Sequence, residues 1–335
     1  MTISLAVLGA GRIGQVHAAA ILQVRGARLV AVSDPVASAA QKVADTHGCA
    51  IRSIDEIAAA KDVEGVVICT PTDTHADLIE KFVAAGKAIF CEKPIDLSLD
   101  RVKACLKIVE KAGAKLMVGF NRRFDRDFCA VKAAIDAGKV GSVEMVTITS
   151  RDPGPPPLDY IGRSGGIFRD MTIHDFDMAR WLLGEEPESV VAVASVLVDP
   201  AIGKAGDYDS VNVILRTAGG RQAVITNTRR ATYGYDQRIE VLGSKGMVAA
   251  ENKREANIEI ATADGFTRPP LLNFFMTRYT EAYVAEIAAF VAVVRDGKAA
   301  SPNGRDGLIA LALAEAAIKS AREGRAVKVY ELLSP

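Results

Sequence analysis

The chain has 335 residues, enough for two domains of ordinary size. Its 41 basic and 41 acidic residues balance, so no basic excess is available for a phosphate backbone, and nucleic acid is not expected as a partner. No apolar run approaches membrane-spanning length, and the start lacks the basic-then-apolar order of a signal peptide, so no membrane is expected either and the protein is read as cytoplasmic.

Ile3 to Leu8 is a short apolar run that ends in Gly9-Ala10-Gly11-Arg12-Ile13-Gly14. A helical pattern follows over residues 13–24, then a second strand from Ala27 that ends in Asp34. Strand, GxGxxG, helix, strand, acid is the fingerprint of a dinucleotide site. Gly9 makes the tight turn, Gly11 admits a pyrophosphate to the backbone, and Gly14 lets helix and strand pack closely. The helix N-terminus, at Arg12 and Ile13, then faces the phosphates. Asp34 can accept hydrogen bonds from the adenosine ribose and repels a 2′-phosphate, so NAD is favoured over NADP.

The alternation continues. Helices are predicted over 35–47 and 53–60, a strand over 65–69, a helix ending near Ala85, a strand over 88–91, a helix over 98–111 and a strand over 115–119. This order means a parallel, doubly wound sheet, which binds ligands at the carboxyl ends of its strands. Those ends carry Thr70-Pro71, Glu92-Lys93 and Asn121-Arg122-Arg123, with His75 close behind the first of them in sequence. His75 is expected to line the cofactor cleft, and His17, inside the first helix, to be structural.

The pattern changes after Phe124. A helix over 127–137 and a strand over 143–150 lead to a stiff loop, Asp152-Pro153-Gly154-Pro155-Pro156-Pro157. Strands are predicted over 190–198, 210–216, 222–228, 237–241, 247–250 and 258–261, several joined by glycine turns. Helices over 279–295 and 305–323 and a short strand over 327–330 close the chain. The expectation is a Rossmann domain, residues 1–121, and an α+β domain, residues 122–335, with a large, open, mostly antiparallel sheet. The five cysteines show no CxxC or zinc spacing and read as reduced thiols, with Cys69 and Cys91 packed in apolar runs.

Between loop and strands lies Gly165 to Trp181, where Asp170 and His174 stand four apart ahead of an apolar helical stretch. A helix starting near Asp170 would put both on one face at its N-terminal end, where the helix dipole favours a carboxylate. Histidine's ordinary pKa of ~6.5 suits a general base, and a carboxylate can orient it. Lys93, ending a core strand beside Pro94, can stabilise charge developing on an alcohol oxygen. Hydride transfer from a secondary alcohol needs these parts. An alcohol's hydroxyl groups are held by forked donors and fixed acceptors. Arg123, Asp152, Tyr160 and Tyr235 are candidates. For Arg123 the alternative is an ion pair with Asp125 or Asp127; for the two tyrosines it is packing.

The chain resembles the Gfo/Idh/MocA oxidoreductase family over its whole length. The resemblance rests on Gly9 to Gly14, Thr70-Pro71 with His75, Glu92-Lys93-Pro94, and Asp170 with His174. Gly119 to Asp125, Ser150 to Pro153, Ser164 to Phe168 and Tyr233 to Asp236 are similar to its inositol 2-dehydrogenase branch. The resemblance implies NAD-dependent oxidation of myo-inositol at C2 to 2-keto-myo-inositol, a catalytic trio of Lys93, Asp170 and His174, and a homotetramer joined through open sheets. Another cyclic polyol or sugar, such as scyllo-inositol or glucose, is the alternative substrate. A non-catalytic nucleotide sensor is the alternative of a different class. A metal-dependent hydrolase finds no ligand spacing among the 4 histidines.

Overall fold

The computed structural model describes residues 2–333 and divides them into two compact units. The first contains the chain up to Asp125 together with Thr280–Leu311; the second contains Arg126–Tyr279 and the chain from Ala312.

The first unit is built on a parallel six-stranded sheet, in the order β3-β2-β1-β4-β5-β6. Its strands are β1 (Ile3–Leu8), β2 (Ala27–Ser33), β3 (Ala50–Ile51), β4 (Gly65–Ile68), β5 (Ala88–Glu92) and β6 (Leu116–Gly119). β1, β4, β5 and β6 are buried at every position, as parallel strands covered on both faces must be. The connecting helices are α1 (Arg12–Gln23), α2 (Ala37–His47), α3 (Ile54–Ala59), α4 (His75–Ala84) and α5 (Leu99–Lys111). Ser53 opens α3 with a capping box, its hydroxyl accepting from the Glu56 amide while Glu56 reaches back to the Ser53 amide. β3 was not foreseen; two exposed residues carry no periodicity to read.

The compact units differ from the predicted division at residue 122. The helix at Thr280–Asp296 packs with the first unit: Phe290 meets Phe90 of β5 edge-on at 5.8 Å, and Ile287, Phe290 and Val291 are buried. The Val118 amide of β6 donates to the Pro302 carbonyl at 3.0 Å, so the next stretch of chain adds to the sheet edge. A helix's apolar stripe shows that it packs, and not on what.

The second unit holds a seven-stranded sheet, ordered β12-β11-β7-β10-β9-β8-β15. These are β7 (Val143–Arg151), β8 (Pro187–Ser195), β9 (Ser210–Thr217), β10 (Gln222–Thr228), β11 (Asp236–Gly243), β12 (Gly246–Ala250) and β15 (Val327–Lys328). The β7–β10 pair is parallel and the other pairs are antiparallel. β13 (Ile260–Thr262) and β14 (Gly265–Thr267) form a separate exposed hairpin, so the strand predicted over 258–261 is not part of the large sheet. The helices are α6 (Arg126–Asp136), α7 (Leu158–Ser164), α8 (Ile173–Leu183), α9 (Pro200–Lys204) and α10 (Phe275–Arg278). α11 is Thr280–Asp296, and α12 (Gly304–Glu323) and α13 (Tyr330–Leu333) complete the series. No helix among the described residues is long and apolar enough to cross a membrane.

Candidate active site

Parallel pairing brings the carboxyl ends of β1, β2, β4, β5 and β6 to one edge of the first sheet. Residues far apart in sequence therefore leave the sheet side by side. Gly9 has φ +92°, and a Cβ there would lie 2.7 Å from the Cys69 carbonyl group. A Cβ on Gly14 would come within 1.9 Å of the Gly9 carbonyl oxygen. Both positions thus exclude any side chain. Gly11 caps α1 with no side-chain bond, and a Cβ there would meet nothing within 4 Å. The amides that open α1, at Arg12 and Ile13, have no intrahelical acceptor by geometry. Turn, close packing and open approach are each where a dinucleotide pyrophosphate needs them, and the residues fit that group.

Asp34 is tied to the same loop. One carboxylate oxygen accepts from the Ala10 amide at 2.6 Å and the other from the Val36 amide at 2.7 Å. Each oxygen has two lone pairs, so acceptor capacity for a ribose remains. Thr70 shares a 2.6 Å hydroxyl contact with Thr74, whose hydroxyl donates to the Pro71 carbonyl at 2.7 Å. His75 was expected to line the cleft. It is instead buried, with one ring nitrogen 2.8 Å from the Thr70 carbonyl oxygen and the other 2.8 Å from that of Pro94. It fastens the ends of β4 and β5 to each other.

Lys93 is the one residue of 88–95 that is not buried. Behind it, Glu92 accepts from His17 Nε2 at 2.6 Å, and a Cβ on Gly119 would crowd its carboxylate at 3.1 Å. Glu286 of α11 lies 3.9 Å from the same His17 nitrogen. These three buried groups could be mistaken for metal ligands. A 2.6 Å nitrogen–oxygen separation is a hydrogen bond, shorter than two ligands of one tetrahedral ion allow. His17 is structural, as expected.

In the second unit the segment before α8 departs from the prediction. Helical backbone starts ahead of Asp170, and Phe168–Thr172 forms a π turn, a feature frequent at functional sites. Asp170 therefore sits inside the widened turn and not at a helix start. The cap comes from Asp207, whose carboxylate accepts from the Ile167 amide with both oxygens at 3.0 Å. Asp170 is held by side chains: Tyr160 donates to Oδ1 at 2.9 Å, and Arg229 NH1 lies 3.5 Å from Oδ2. His174 follows in the first turn of α8. It is the one residue of 171–180 that is not buried. Of α8, only His174 and Trp181 are not buried.

The remaining candidates divide. Arg123 pairs with Asp306 at 3.0 Å, an acid that the sequence reading did not weigh. Tyr235 is 6 % exposed and meets Phe274 and Tyr279 edge-on, so its ring is core. Asp152 is half-buried after β7, its amide donating to the Thr228 carbonyl at 3.0 Å. Arg229, Asp207 and Glu286 went unforeseen as parts of a site. Arg229 is buried where the chain leaves β10, and an arginine in sequence carries no sign of such burial.

Residues 3–120 match the model of an oxidoreductase family with an NAD-binding Rossmann fold, and residues 128–249 match the GFO/IDH/MocA C-terminal domain. An inositol 2-dehydrogenase of Rhizobium meliloti (strain 1021) is 67 % identical over 98 % of this chain and 100 % of its own. The chain belongs to the GFO/IDH/MocA oxidoreductase family. Another member, the myo-inositol 2-dehydrogenase of Thermotoga maritima, is 45 % identical over 98 % of this chain and 99 % of its own. A crystal structure of the scyllo-inositol dehydrogenase of Lactobacillus casei, with bound NAD(H) and scyllo-inositol, superposes with a TM-score of 0.92. It is 28 % identical and covers 98 % of this chain and 100 % of its own. The first sheet is thus the family's NAD-binding fold, and NAD is the cofactor that its glycine turn and Asp34 suit.

Proposed function

We propose that the protein oxidises myo-inositol at C2 to 2-keto-myo-inositol with NAD, as the early oxidative step of inositol breakdown. The 67 % identity to an inositol 2-dehydrogenase over nearly the full length of both chains carries this reading. The free cysteines suit a reducing cytoplasm.

Bound NAD supplies the hydride acceptor. Gly9, Gly11, Arg12, Ile13 and Gly14 hold its pyrophosphate, Asp34 its ribose, and Thr70 and Pro71 border it, with Glu92 and His75 bracing the Lys93 turn from behind. In the chemical step His174 takes the hydroxyl proton. Asp170 keeps the imidazole oriented and offsets the positive charge it gains. The Lys93 ammonium stabilises alkoxide character on the oxygen. Asp152 and Tyr160 are the substrate-facing pair, while Arg123 and Tyr235 are assigned to structure. The protein works as a homotetramer.

The test is absorbance at the NADH band with NAD and a panel of myo-inositol, scyllo-inositol, D-chiro-inositol and D-glucose, repeated with NADP. Preference for myo-inositol with NAD is the expected result. Activity confined to scyllo-inositol would keep the chemistry and overturn the substrate; equal rates with NADP would overturn the role of Asp34.

A further inference from the structure

We propose that Arg229 is a positioning residue for the Asp170–His174 pair: its buried guanidinium fixes the direction that the Asp170 carboxylate faces. The inference rests on the proposed roles of Asp170 and His174.

Arg229 follows β10 and is 1 % exposed, among the largest fully buried side chains of the protein. Its amide donates to the Asp209 carbonyl at 2.9 Å, which anchors the backbone. Its side chain reaches two carboxylates: NH1 lies 3.5 Å from Asp170 Oδ2, and NH2 lies 3.7 Å from Asp207 Oδ2. Nε and NH2 have no hydrogen-bond partner among the described residues. A buried cation is costly unless paired, so these two acids are what keep it there.

The two acids do different work. Asp207 caps the Ile167 amide, where the π turn begins, and Asp170 is the functional carboxylate within that turn. Arg229 therefore links the anchor of the segment to the group it carries. Tyr160 from α7 and Arg229 after β10 reach Asp170, Asp207 from the loop before β9 shares Arg229, and His174 follows four residues on in α8. Arg169, next in the chain, is paired with Glu315. Arg229 thus brings a cation to Asp170 from within this unit. Loss of that charge takes a positive group away from the proposed proton-accepting pair, which on electrostatic grounds moves the acid limb of turnover to higher pH.

The experiment uses the full chain and the preferred polyol. kcat and KM are followed from pH 5 to 9 for Arg229→Met, which keeps the stem, and Arg229→Lys, which keeps the charge. Arg229→Gln takes the place of Arg229→Met if that variant does not fold. The expected result for the neutral variant is a fall in kcat of roughly 10- to 100-fold, KM for NAD within about twofold, and an acid limb about one pH unit higher. Arg229→Lys should return the limb to its original position. In an Asp170→Asn background Arg229→Met should cost little more, because the two act as one unit. An unmoved acid limb in Arg229→Met, or a full additional loss on top of Asp170→Asn, would overturn the inference while leaving the Asp170 role standing. Near-normal turnover of Asp170→Asn by itself would overturn that role, and the inference with it.

Discussion

Glu286 is fully buried and neither of its carboxylate oxygens has a hydrogen-bond partner among the described residues. Burial, and then the charge of Glu92, push its pKa well above the ordinary carboxylate value. The consequence for stability has a definite sign. The folded protein keeps a proton that the unfolded chain releases above about pH 4.3. Stability from this site is therefore complete below that pH and declines as pH rises toward the folded value. Glu286→Gln keeps the shape and cannot ionise, so it removes the decline. Melting curves of the two proteins from pH 4.5 to 8 should diverge, the variant gaining by up to about 1.4 kcal/mol per pH unit inside the window. A constant offset, whatever its size, would mean that Glu286 is ionised in the folded protein. His174 and Lys93 differ from Glu286: each is the half-buried position in a buried run.

At the scale of elements, the π turn depends on two glycines and one acid. Gly165 and Gly166 have φ near +83° and +82°, and a Cβ on Gly166 would lie 2.5 Å from Asp207 Oδ1. Gly166→Ala should cost roughly 1–3 kcal/mol through strain and loss of the cap. Because the displaced cap carries Asp170, kcat should fall too. Gly162, inside α7, has open space around it, and Gly162→Ala should stabilise by about 0.4–1 kcal/mol. Thermal melts of the pair check both signs; equal effects would show that Gly166 is not constrained by Asp207. The same segment marks how far the sequence is legible. Asp170 and His174 stood out as candidates by residue type and spacing, read together with the family resemblance. The parallel sheet and its strand-end residues were legible too, because a βαβ order leaves few topologies. The π turn was not, since its extra residue leaves no gap in an apolar pattern. Nor was the Asp207 cap, 40 residues downstream of the amide it satisfies. α9 carried a signal that went unread: Asp199 before Pro200 is a cap followed by a first-position proline.

At the scale of the whole molecule, the second unit's sheet gathers exposed apolar side chains on one face. Register aligns Val191, Ile214 and Val224 across β8, β9 and β10, and Met145, Leu242 and Met247 across β7, β11 and β12. Val193, one pleat further along β8, is 63 % exposed. The opposite pleat is buried, Val190, Val213, Leu215 and Ile225 among it, while the exposed pleat sets its apolar residues beside Thr147, Arg216, Gln222 and Glu240. Exposed apolar side chains gathered on one sheet face are what a protein contact would cover. A second copy is the simplest occupant, since a twofold axis lets one patch meet itself. Ile214 stands near the middle of this face, so Ile214→Glu would bring a carboxylate from each copy into one interface. Burying such a charge unpaired costs roughly 3–5 kcal/mol. Sedimentation at micromolar concentration should give four chains for the native protein and a smaller species for the variant. A native monomer would remove the homotetramer. A variant still of native mass would move the contact to another surface and leave the apolar face without an occupant.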